Sequence, residues 1–176
     1  HVRSRRQRQM CIRDRLPADP RSRARVLLLE DWADTALAAG ARQALLQAAA
    51  ADPVLRTALL PLATPDPLRR VVAALPASLM APMSEAVGEV LAPCEARQLR
   101  RNLEQLAALV ADQPYLEGDR LSLADLAVVA QLSLLQFPAS AGAPLAGRGV
   151  EGLADHPLLE PLFSWRDRIL AEVGRA

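Results

Sequence analysis

The chain has 176 residues, 21 basic and 20 acidic side chains, and a formal net charge of +1. That length suits one domain with its own core, and 51% hydrophobic against 23% charged residues excludes a chain disordered throughout. Ala, Leu and Arg are abundant, aromatics make up only 3%, and Val comes in pairs rather than alternating runs, so helix is favoured over sheet.

Every basic residue is arginine. Beside equally heavy Ala and Pro usage, this reads as coding bias rather than selection for bidentate contacts. Residues 1–15 hold Arg3, Arg5, Arg6, Arg8, Arg13 and Arg15 against Asp14 alone, a balance of +5 that leaves −4 for the rest. A mildly acidic body has no electrostatic footprint for nucleic acid. Cys11 and Cys94 belong to no C-x-x-C or Cys/His cluster, so neither a disulfide framework nor a zinc site is indicated. His1 and His156 make no metal site by themselves. The N-terminus has no apolar core of a secretory signal, and no apolar run reaches the roughly 20 residues of a membrane span. The expected setting is reducing and cytoplasmic.

In chain order, residues 1–16 stand apart as a basic tail, disordered or foreign to the gene, and residues 17–176 form the folded domain. Asp19-Pro20 is a helix start, with Asp to cap and Pro at the first helical position. The spacing of Val26, Leu29, Trp32, Ala33, Ala36 and Leu37 predicts one helix face from about Arg21 to Ala50, with Gly40 as the place to bend or break it. Glu30, Asp31 and Asp34 make a small acidic group on that helix. Asp52-Pro53 repeats the start signal for a short helix. The Pro-punctuated stretch 61–82 is expected to hold two turns over Leu68 to Leu75. They would pack through Val71, Val72, Leu75 and Leu79, with Met80 and Met83 as filler. A short helix over Ser84 to Leu91 follows, then an amphipathic one from Glu95 to Val110 with a Leu99, Leu103, Leu106, Val110 stripe.

The stretch Leu121-Ser122-Leu123-Ala124-Asp125-Leu126 then opens an apolar helix that runs to Phe137-Pro138. Ser122 and Asp125 have the spacing of a capping box, and Leu121 and Leu126 that of a hydrophobic staple. Asp125 also puts a negative charge where the helix dipole favours it. Apolar nearly all round, this helix, about 122–137, is expected to be buried at the centre of an all-α bundle. A glycine- and proline-rich loop covers 139–152, and a last helix runs from about Leu158 to Val173, with Leu159, Leu162, Phe163, Ile169 and Leu170 inward and Trp165 at the edge.

Tyr115-Leu116-Glu117-Gly118-Asp119-Arg120-Leu121-Ser122-Leu123-Ala124-Asp125 resembles the Y/F-L-x-G-D-x-x-S-x-A-D stretch of the glutathione transferase C-terminal domain. The Leu99 to Leu106 spacing, His156-Pro157 before Trp165-Arg166, and Pro17 to Trp32 as a first long helix fit the same family. The resemblance implies an all-α orthogonal bundle, glutathione as cosubstrate of the full-length family, and a homodimer. It implies a missing partner as well, the N-terminal thioredoxin-like domain that binds glutathione and activates its thiol. Nothing in residues 1–16 matches that domain. The chain is thus expected to be the acceptor-substrate side of a conjugation cleft, inactive alone, with no partner in nucleic acid or membrane. No catalytic residue is assigned. In the family the first long helix borders the acceptor pocket and carries an acidic residue toward glutathione; Trp32, Asp31 and Asp34 are the matching candidates. The competing reading is a non-catalytic protein–protein interaction module of the same fold. The G-x-S-x-G, P-loop and G-x-G-x-x-G motifs are absent.

Overall fold

The structure, a computed structural model, describes residues 15–76 and 92–175. The basic tail up to Asp14, Leu79, Met80, Met83 and the helix expected over Ser84 to Leu91 lie outside the described residues. So do Cys11 and the side chain of Cys94.

The described residues are helical, with a single isolated bridge between Gln136 and Gly149 in place of a sheet. Helix α1 (Pro20–Trp32) starts on Asp19, whose carboxylate accepts from Ser22 N–H at 2.8 Å. It passes without a stop through a π-helical turn (Ala33–Leu37) into α2 (Ala38–Ala51). Gly40 therefore does not break the helix. A Cβ there would lie 3.2 Å from Leu99 Cδ1, so the glycine lets α2 and the later helix α5 approach closely. The irregularity sits at 33–37, where the Thr35 hydroxyl donates to the Asp31 carbonyl at 2.6 Å. A π turn carries one residue more than an α turn and rotates the register. Val26 and Ala33 before the turn and Leu37, Ala41 and Leu45 after it are buried, while Ala36, expected on the same face, is exposed.

Helix α3 (Pro53–Ala58) is capped by Asp52, whose Oδ1 accepts from Val54 N–H at 2.8 Å and Leu55 N–H at 3.3 Å. Helix α4 (Asp66–Ala74) corrects a second expectation. None of its residues is buried, and Val71 is 58% exposed. Polar tethers hold it to α3 instead. Arg56, itself buried, donates to the carbonyls of Val72 (3.1 Å) and Leu75 (2.7 Å), and Arg69 donates to that of Thr57 (3.0 Å).

Helix α5 (Ala92–Val110) buries Leu99, Leu103, Leu106 and Val110. The central helix α6 (Leu123–Leu135) packs against α1, the π turn, α2 and α7 (Glu160–Val173); α5 packs against α2 and α7. Ala124, Val128, Val129, Leu132 and Leu135 of α6 join Leu103, Leu106, Leu162 and Ile169 in one core cluster. Each fully buried leucine there contributes about 1.5–3 kcal/mol of transfer free energy. A smaller cluster of Leu45, Ala49 and Leu55, with Phe137 and Leu145 against it, fastens α3 to the body. The last helix begins later than expected, after a 3-10 turn (Pro157–Leu159).

Candidate functional site

At the N-terminal end of α6, Ser122 and Asp125 adopt the reciprocal capping-box arrangement. The short bonds converge on the Asp125 carboxylate, which is fully buried. Its Oδ2 accepts from Ser122 N–H (2.7 Å) and the Ser122 hydroxyl (2.6 Å), and its Oδ1 accepts from Leu116 N–H (2.7 Å). The third bond, nine residues back in the chain, ties the 111–121 connection to the helix start. Leu121 and Leu126 both pack in the main core cluster. The Arg15 carbonyl accepts from Leu123 N–H at 3.1 Å and Leu16 packs against that cluster, so both residues are in contact with the body.

Helix α7 holds the same connection from the other side. Trp165 is buried, and its indole donates to the Pro114 carbonyl at 2.9 Å; Arg168 donates to that carbonyl as well. The Tyr115 hydroxyl donates to Glu172 at 3.0 Å. That hydrogen bond, followed by desolvation and the carboxylate's charge, raises the phenol above its ordinary range.

The C-terminal end of α6 is organised around Arg166, 1% exposed. Its guanidinium donates to the Gln136 backbone carbonyl and, at 3.1 Å, to Gln136 Oε1. It pairs with Asp167 at 2.7 Å and lies 5.1 Å from the centroid of the Phe163 ring. A cation at a helix C-terminus meets the negative end of the dipole and the last unbonded carbonyls. Val150 N–H donates to the Leu135 carbonyl (2.8 Å) and Phe137 N–H to the Arg148 carbonyl (2.7 Å). Gly149 makes this possible, since a Cβ there would come within 2.7 Å of Ala154 Cβ and 2.9 Å of Gln136 Cα. Beside this end lies a polar cleft of about 350 Å3 whose walls include Asp155, His156, Glu160 and Asp167.

The three family-suggested candidates lie on α1 and in the π turn. Trp32 is half-buried against the core, and Asp31 and Asp34 are exposed. The Asp34 carboxylate accepts from Gln131 Nε2 at 3.3 Å, and Gln131 is a buried amide on α6. Trp32 turns toward the core and the two carboxylates toward solvent, so the three do not share one face. They include no nucleophile hydrogen-bonded to a base. Arg166 entered the sequence reading only as part of the family resemblance, with no role, and Gln131 did not stand out. A lone Arg or Gln at a helical position reads as a solvated side chain, and only the fold brings its partners together. The described residues hold no group of three or more His, Cys, Asp or Glu set to bind a metal, and none of their helices is long and apolar enough to cross a membrane.

The family described as glutathione S-transferase, C-terminal domain, matches residues 51–171. Those residues take in the capping box, the whole of α6 and Arg166; Asp31, Trp32 and Asp34 precede them. Comparisons with curated proteins and with solved structures gave no match. With more than half of its length matched, on a helical bundle whose buried central helix starts in the expected capping box, the chain belongs to the glutathione S-transferase C-terminal domain family.

Proposed function

We propose that residues 17–176 are the helical domain of a glutathione-transferase-like protein. They form the acceptor-substrate side of a glutathione conjugation cleft and are catalytically incomplete alone. The family match carries this reading; the tail lies before Arg15, because Arg15 and Leu16, expected in it, are bonded to and packed on the domain. Trp32, Asp31 and Asp34 supply the cleft wall: the indole stacks on an aromatic electrophile, and the carboxylates face the cationic end of glutathione. The thiol-activating group comes from a thioredoxin-like domain.

Two hydroxyls, those of Tyr115 and Ser122, fit that division of labour. Lowering a thiol's pKa favours a hydroxyl whose proton is directed at sulfur. The chain's one tyrosine, Tyr115, directs its proton to Glu172 instead. Ser122 is buried and donates to Asp125. Glutathione as cosubstrate, homodimer assembly and a cytoplasmic setting belong to the same proposal.

The test uses the two tryptophans of the chain. Trp165→Phe leaves Trp32 as the only indole. Titration with an aromatic electrophile is expected to quench its fluorescence saturably, while calorimetry with glutathione alone shows no binding and conjugation stays at the solution rate. Failure to quench removes the acceptor-side role and leaves the interaction module of the same fold. Glutathione binding and turnover by the chain alone would overturn the incompleteness.

A further inference from the structure

The inner edge of helix α4 is polar and its outer side is apolar. Arg69 donates to the carbonyls of Thr57 (3.0 Å) and Pro61 (3.3 Å), and Arg56 to those of Val72 and Leu75, so guanidinium–carbonyl bonds fasten the helix to the body. On the far side Leu68, Val71 and Leu75 recur at helical spacing and make one stripe. Leu68 is 53% exposed beside the exposed Val71, and Leu62, in the connection before the helix, is 99% exposed. Single exposed leucines are ordinary on a protein surface. A helical stripe continued by a neighbouring leucine marks a face that meets another surface.

The charges beside the stripe discriminate between occupants. Asp66 and Arg70 lie one turn apart on the same edge of α4, and both are exposed. Neither has an ion-pair partner among the described residues. A uniformly charged surface would attract one of them and repel the other. A second α4, antiparallel to the first across a two-fold axis at Leu68, satisfies both. Asp66 then faces the partner's Arg70, Arg70 faces the partner's Asp66, and Leu68 faces the partner's Leu68. One edge of a helix meets the same edge of its copy only in the antiparallel sense, and a two-fold interface must be complementary to itself in this way.

From this self-complementarity we infer that the outer face of α4 is the surface through which two copies of the chain associate. Leu62, Leu68, Val71 and Leu75 of each copy pack across the axis, with two reciprocal Asp66–Arg70 pairs at the rim. The apolar side chains supply the attraction through the area they remove from water, and the ion pairs fix the register. One short helix and the connection before it make a small interface, so the association is reversible and depends on concentration. The inference rests on the homodimer assembly proposed above and gives that assembly its surface.

Sedimentation velocity of the full chain, followed over about a hundredfold range of concentration, tests it. The parent is expected to pass from monomer to dimer. Leu62→Ser and Val71→Ser, at exposed positions that leave the core untouched, should each weaken association at least about tenfold, because a two-fold interface uses each residue twice. Asp66→Arg and Arg70→Asp should each weaken it about tenfold by setting like charges against each other at both rims. An equimolar mixture of these two charge variants should associate like the parent, since a basic edge then faces an acidic one. Association of Arg70→Asp as tight as the parent's, or a mixture no tighter than either variant alone, would overturn the pairing. A dimer that none of the substitutions weakens would overturn this surface and leave homodimer assembly standing. A chain monomeric at every concentration would give the stripe to another occupant and overturn both.

Discussion

The two ends of α6 solve opposite electrostatic problems. At the N-terminal end the partial charge is positive, and a buried carboxylate, Asp125, neutralises it with donors drawn from residues 116 and 122. At the C-terminal end the partial charge is negative, and a buried guanidinium, Arg166, meets it from a helix 30 residues further along the chain. The first device is local, within ten residues of sequence. The second is assembled from α6, the 139–152 loop and α7, and it requires Gly149 to have no side chain. A local cap survives as long as its own turn is formed. An assembled one holds three segments together and fails if any of them moves. The C-terminal end should thus be the more fragile of the two.

Mutations can break or sharpen this contrast. Arg166→Ala removes a buried charge and its volume and leaves the Gln136 carbonyl without its donor. A loss of about 4 kcal/mol is expected by denaturant unfolding. Gly149→Ala places a methyl group against backbone and should cost about 3 kcal/mol, with α7 docking lost as the loop is pushed off α6. Asp125→Ala strands the buried amides of Leu116 and Ser122 and should cost about 2 kcal/mol, while Ser122→Ala, which keeps the carboxylate, should cost about 1 kcal/mol. A larger loss from Asp125→Ala than from Arg166→Ala would reverse the contrast.

The smallest effect concerns Asp52, which joins α3 to the 139–152 loop through Arg148 at 2.8 Å. Desolvation pushes its carboxyl upward, but the Leu55 and Val54 amides and Arg148 outweigh it, and the net shift is downward. A depressed carboxyl favours the folded state above its unfolded value of about 4, and this contribution is lost as pH falls through the folded value. Melting temperature followed from about pH 5 to about pH 2 should therefore fall less steeply in Asp52→Asn than in the parent. Identical slopes would mean that the Asp52 carboxylate, with its cap and its Arg148 contact, adds no pH-dependent stability.

Legibility followed the same division. The helix starts at Asp19, Asp52 and Ser122 were readable because a cap is a contact between near neighbours in sequence. The Leu99 to Val110 stripe was readable because a helical period of 3.6 writes its buried face into the spacing. The site was less accessible. Asp31, Trp32 and Asp34 came from the family resemblance, and the π turn that changes their register left no pattern in the sequence. Val71 and Val72 had the right spacing for burial, yet α4 meets no core face and is held by Arg56 and Arg69.

By itself, then, the sequence determined the helical class, the main helix starts and the choice of α6 as the core, all set by local bonding and periodic burial. Tertiary structure alone decided the buried roles of Arg166 and Gln131, the need for Gly149 and the exposure of α4. Each depends on groups separated by many residues that meet only after the chain has packed, so no local spacing could announce them.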